Sequence, residues 1–166
     1  MGLKASELAE ARISIRYGKN NAADKVLRKP LILVEGFDFD ANPGDERYGD
    51  INYTSIVKGF SFSEITGQRT KQNLKDMEVF AEKIYNESYD LIFINFKDGS
   101  ADLRKNGNTL IRLIQWVNQN KASDEEVVVI GASMGGILAR YAIRTMELAD
   151  CKHCVKLYAS FDSPHQ

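Results

Sequence analysis

The residues with the clearest chemical purpose are Gly131-Ala132-Ser133-Met134-Gly135-Gly136, which fit the pattern G-x-S-x-G. A serine hydroxyl becomes a useful nucleophile when it is exposed, aligned and relieved of its proton by a base. The setting provides exposure and alignment. An apolar run ends at Ile130 and an amphipathic pattern begins at Met134, so the serine falls on a sharp strand-to-helix turn. Such a turn forces strained backbone angles on the serine and lifts its Oγ above the sheet. Side chains two residues either side would collide with neighbouring backbone, which suits Gly131 and Gly135. Gly136 lets the helix approach the sheet closely. The helix start then aims free N–H groups and the positive end of its dipole at the hydroxyl. A second cluster, Val34-Glu35-Gly36-Phe37-Asp38, follows another apolar run, and Gly36 lets the backbone turn close to a bound molecule. The competing reading of the first cluster is a glycine-rich phosphate turn. It is weak, because no G-x-G-x-x-G or G-K-[ST] follows any strand pattern.

The elements that must hold these residues are legible as short apolar runs separated by helical periods. Leu31-Ile32-Leu33-Val34, Leu91-Ile92-Phe93-Ile94, Val127-Val128-Val129-Ile130 and Val155-Lys156-Leu157-Tyr158 read as buried strands. Leu74, Met77, Phe80, Ala81 and Ile84 recur at helical spacing, as do Leu103, Leu110, Ile114 and Val117, with Asp102 as N-cap. A third helix is expected from Met134 to about Leu148. Strand and helix therefore alternate, which implies a mostly parallel sheet covered on both faces. Residues 1–30 form an N-terminal segment with a short helix near Ser6–Glu10, an alternating edge strand near Ile13–Tyr17 and a turn at Gly18–Asn21. Between Gly36 and Thr70 no strong period is visible, and a connection that long reads as a flap over the carboxyl edge of the sheet.

Taken together, the three motifs Leu31-Ile32-Leu33-Val34-Glu35-Gly36-Phe37, Gly131-Ala132-Ser133-Met134-Gly135-Gly136 and Ser163-Pro164-His165-Gln166 resemble the α/β-hydrolase family, closest to its lipases and serine esterases. The resemblance covers about residues 31–166. It implies an α/β core in which the four apolar runs are the family's third to sixth strands. It implies Ser133 as nucleophile and an oxyanion hole formed by the backbone N–H groups of Phe37 and Met134. It implies ester hydrolysis through an acyl-serine intermediate on a small-molecule ester or lipid, with no cofactor and no metal.

The resemblance also implies a catalytic acid and a histidine base, the acid usually after the family's seventh strand and the base after its eighth. The chain stops just past the sixth, so the core is expected to be truncated at its C-terminus and this chain alone inactive. A missing C-terminal segment is expected to pair with it, since a buried-type strand at an open edge invites aggregation. Asp162 stands where some lipases carry the acid. His165 belongs to the lipase Pro-His segment and is expected to be structural or pocket-lining. His153 precedes the last strand and reads as a surface-loop residue. A non-catalytic binding module and a serine acyltransferase are the alternatives.

Other constellations carry less. Asp38, Asp40 and Asn42 begin like an EF-hand, but Pro43 and Gly49 stand where the glycine and the bidentate glutamate belong, so a solvated loop is expected. Cys151-Lys152-His153-Cys154 offers three of the four ligands of a zinc site and follows a helix rather than opening one, so its cysteines read as incidental. Asp98-Gly99-Ser100-Ala101-Asp102 reads as a turn and cap, and Trp116 as helix packing. The chain has 166 residues and a net charge of -1, which argues against nucleic acid as a general partner. No run approaches a membrane span and Met1–Glu10 lacks a signal-peptide core, so the expected compartment is the cytoplasm by default. Met1-Gly2-Leu3-Lys4-Ala5-Ser6 fits a myristoylation pattern by chance.

Overall fold

The computed structural model describes residues 2–36, 61–63, 68–70, 75–161 and 163. A 3-10 turn at Ala5–Glu7 leads into strand β1, Ala11–Arg16. Strand β2 is Pro30–Val34, and a two-stranded antiparallel hairpin follows with β3 at Ser61–Ser63 and β4 at Gln68–Thr70. Then come helix α1 (Lys75–Asn86), β5 (Asp90–Phe96), α2 (Leu103–Asn120), β6 (Val127–Ala132), α3 (Met134–Leu148) and β7 (Val155–Phe161). The main sheet has the order β1-β5-β2-β6-β7. β2, β5, β6 and β7 run parallel, and β1 lies antiparallel on β5 at one edge.

The alternation of side chains along each strand explains the layers. Ile32, Val34, Ile92, Ile94, Val127 and Val129 point to one face, where Leu110, Ile111, Ile114 and Val117 of α2 and Leu138, Ala139, Ala142 and Met146 of α3 cover them. Leu31, Leu33, Leu91, Phe93 and Val128 point to the other face, where Ala81 and Ile84 of α1 pack. Each fully buried Val, Leu, Ile, Phe or Met side chain contributes about 1.5–3 kcal/mol by leaving water, and each alanine less.

Two polar features tie the frame together. Asp90 is fully buried at the start of β5 and accepts hydrogen bonds from the N–H groups of Gly18 (2.9 Å), Arg28 (2.7 Å) and Lys29 (3.0 Å) and from Asn21 Nδ2. That carboxylate fixes the path from β1 to β2. Asp102 caps α2 by accepting from the Arg104 N–H at 2.8 Å, as its position before the helical period suggests. The side-chain hydrogen bonds from Arg104 hold the Asp102 carboxyl below the usual carboxylate range.

The structure departs from the sequence reading at three places. The segment 36–70, read as lacking a strong period, contains the three-residue strands β3 and β4; the rest of the proposed flap, apart from Gly36, lies outside the described residues. The fourth apolar run is half-exposed rather than buried. β7 is the edge strand of the sheet among the described residues, and Leu157 and Phe161 are 54% and 64% exposed. Trp116, expected to pack within the helix face, is 42% exposed and borders an apolar groove with Ile13 and Leu113. Among the described residues, no helix is long and apolar enough to cross a membrane.

Candidate active site

β2, β5, β6 and β7 share one direction, so their carboxyl ends lie along one edge of the sheet, and Ser133 stands at that edge. It follows β6 directly and serves as N-cap of α3, with φ 48° and ψ −121°. A side chain rarely adopts a positive φ, so the turn is strained at this residue. Ser133 is exposed, and its hydroxyl makes no cap bond to the helix.

Contacts from the ends of β2, β6 and β7 hold the strained turn. The Ser133 N–H donates to the Phe161 carbonyl at the end of β7, 2.8 Å away. A Cβ at Gly135 would overlap the carbonyl oxygens of Val34 and Glu35, and one at Gly131 would overlap the Gly135 backbone. The helix start is thus pressed against the ends of β2 and β6 at a distance only glycine permits. Gly136 abuts Ser160 and Ser163 of the β7 end, and its carbonyl accepts from the Tyr158 hydroxyl at 2.6 Å. Gly36 approaches from the β2 side: a Cβ there would lie 3.3 Å from the Ser133 Cβ and 3.4 Å from the Ala132 carbonyl oxygen. Ser133, Met134, Gly36, Gly131, Gly135 and Gly136 therefore come together at one place.

Phe37 and Asp162 lie outside the described residues, as do the acidic residues from Asp38 to Asp50 and His165. The neighbours of Asp162 are placed, and both reach the turn: Phe161 through its carbonyl and Ser163 against Gly136.

His153 stands elsewhere. Its Nδ1 accepts from the Val155 N–H at 2.9 Å, and its Nε2 lies 3.8 Å from Glu147 Oε1. It precedes β7, whose Val155 pairs with Val127, whereas Ser133 follows Ala132, which pairs with Phe161. Strand length separates the two by roughly 20 Å, so His153 serves no proton at Ser133. Cys151 and Cys154 are not joined in a disulfide, and no group of His, Cys, Asp or Glu among the described residues is arranged to hold a metal ion. Asp98 forms the anticipated turn, accepting from the N–H and Oγ of Ser100 at 2.9 and 2.6 Å.

Sequence reasoning gave Glu35 no role. Its side chain is only 6% exposed, accepts from Asn95 Nδ2 at 2.6 Å and accepts from the Phe96 N–H. An acidic residue directly continuing a buried apolar run was the available signal.

A mostly parallel sheet with helices on both faces and a strained serine between strand and helix defines an α/β-hydrolase-like domain. The comparison with family models makes this specific. Residues 68–166 match the model of the PGAP1-like alpha/beta domain, and the chain belongs to that family. No curated protein matches the chain.

Proposed function

We propose that this domain performs ester hydrolysis through an acyl-serine intermediate, on a small-molecule ester or lipid. Ser133 Oγ bonds to the substrate carbonyl carbon while a base takes its proton. The alcohol then leaves carrying that proton, and water attacks the acyl group and restores the hydroxyl. The N–H groups of Met134 and Phe37 hold the oxyanion, and each is worth about 3–4 kcal/mol to the transition state. The observation that carries the reading is the exposed Ser133 at positive φ, at the carboxyl end of β6 and the N-terminus of α3.

Asp162 is the candidate acid, supported by the contacts of Phe161 and Ser163 with the turn. We place the base on a segment pairing beside β7. Support comes from the outer edge of β7, which takes no strand among the described residues, and from its exposed Leu157 and Phe161.

The tests are direct. In the intact protein, Ser133→Ala abolishes hydrolysis of a p-nitrophenyl ester; unchanged turnover in that variant defeats the reading. In the 166-residue chain alone, Ser133 labels slowly with a fluorophosphonate probe, and rapid stoichiometric labelling would mean that the base lies within these residues. Ester-analogue binding that Ser133→Ala leaves intact, with no turnover in either protein, would favour a binding module. Product partitioning toward an added alcohol would favour acyl transfer.

A further inference from the structure

We infer that Glu35 is a positioning residue whose carboxylate clamps the backbone of residues 35–36 against the nucleophile turn. The inference rests on the hydrolase reading for its catalytic meaning and on geometry for its mechanical one. β2 lies between β5 and β6 in the sheet, so residue 35, at its carboxyl end, can touch both neighbours. It does so with different parts of itself. The side chain reaches β5, accepting from Asn95 Nδ2 and from the Phe96 N–H. The backbone reaches the other way, its carbonyl against Gly135, with Gly36 against Ser133.

The Phe96 contact explains the arrangement. In a parallel pair, every second N–H of a strand faces the same neighbour. Asp90 N–H donates to the Lys29 carbonyl on the β2 side. Counting by twos from Asp90 brings the same side round at Phe96, where the ladder would call for another backbone carbonyl of the β2 chain. The Glu35 carboxylate answers that N–H instead, which leaves the Glu35 carbonyl to turn away from the ladder toward Gly135. A buried acid is costly, and an apolar side chain would fill the same space without accepting these bonds. What the carboxylate adds is a fixed position for the chain that enters the proposed oxyanion loop at Gly36.

Hydrogen exchange on the full chain tests this without needing turnover. In Glu35→Ala, the hydrogen-bonded amides of Ser133 and Gly136 exchange at least about tenfold faster, while those of Ile114 and Val117 in α2 keep their protection. Unchanged amides at the turn, or a uniform loss across α2 as well, would overturn the clamp. Should Glu35→Ala not fold, Glu35→Gln keeps the shape and one acceptor; a smaller rise confined to the same amides supports the proposal, and the same two results overturn it. In the intact protein, Glu35→Ala lowers kcat on p-nitrophenyl acetate and leaves KM unchanged. If Ser133→Ala leaves that hydrolysis untouched, the hydrolase reading fails, and the exchange pattern still judges the clamp.

Discussion

Replacing Ser133 by glycine is expected to stabilise the protein relative to replacing it by alanine. The residue holds φ 48° and ψ −121°, a conformation that costs an L side chain about 1–3 kcal/mol. Alanine keeps the Cβ and therefore the strain. Its loss of the hydroxyl changes little, because Ser133 is exposed and its side chain makes no cap bond. Glycine removes the strain but gives back roughly 0.5–1 kcal/mol through its freer unfolded chain. The net advantage of Ser133→Gly over Ser133→Ala is about 0–2.5 kcal/mol, centred near 1 kcal/mol, which is roughly 2–4 °C in Tm for a domain of this size. Urea unfolding of both variants, with unchanged m-values, measures it. A glycine variant less stable than the alanine variant by the full entropic cost of glycine, about 0.5–1 kcal/mol, would mean that the backbone at residue 133 is unstrained, and the reasoning that makes this serine the site would lose its foundation.

Three further outcomes follow from the same contacts. Asp90→Asn keeps one acceptor oxygen but turns a donor toward one side of the buried cluster, losing one or two charge-assisted bonds. It destabilises by about 2–4 kcal/mol in urea unfolding, and a change below about 0.5 kcal/mol would refute the role given to Asp90. Gly135→Ala drives a Cβ into the carbonyls of Val34 and Glu35, so the turn must shift; a two-dimensional NMR spectrum is expected to show displaced resonances for residues 34–36 and 131–136, and an unperturbed spectrum would contradict the close approach. Asp102 has its carboxyl held below the ordinary value by Arg104, so it contributes stability above its unfolded pKa, and that contribution is lost as pH falls through the lower folded value. Asp102→Ala should therefore lower Tm at neutral pH, with the deficit shrinking in acid; a deficit independent of pH would remove the ion pair from the account.

Much of the frame was legible because burial writes itself into residue type. Continuous apolar runs at Leu31, Leu91 and Val127 became buried parallel strands, and helical spacing from Met134 became α3. The strands proved longer than their apolar runs at the carboxyl end, because Asn95, Gly131, Ala132 and Ser160 carry no hydrophobic signal while their backbones still pair. The exposure of β7 was only partly legible: Lys156 interrupts the run from Val155 to Tyr158, but the exposure of Leu157 and Phe161 follows from the position at the sheet's edge. The tight packing of the turn at Ser133 was legible since Gly131 and Gly135 answer to a backbone collision that any side chain would cause. Glu35 was not, because its function lies in partners sixty residues away in the chain. Its neighbours Val34 and Gly36 gave the local pattern, but nothing local announces that the Phe96 N–H takes a carboxylate in place of a backbone carbonyl.

The turn at Ser133 is strained, and strain survives only where the surroundings over-determine it. Here three strand ends share that duty. β2 brings the Glu35 carbonyl and Gly36, β6 brings Gly131, and β7 brings the Phe161 carbonyl that accepts from the Ser133 N–H. A parallel sheet makes this possible, since only strands of one direction finish side by side. The contacts act on one short segment, so their loss is not additive: once one anchor is gone, the turn can relax and the others lose part of their purpose. Glu35→Ala combined with Gly135→Ala should therefore destabilise the protein by less than the sum of the two single changes, with a coupling of about 0.5–3 kcal/mol in a double-mutant cycle. Strict additivity would mean that β2 and the helix start hold their places independently, and that the site is a meeting of separate parts rather than one mechanically joined turn.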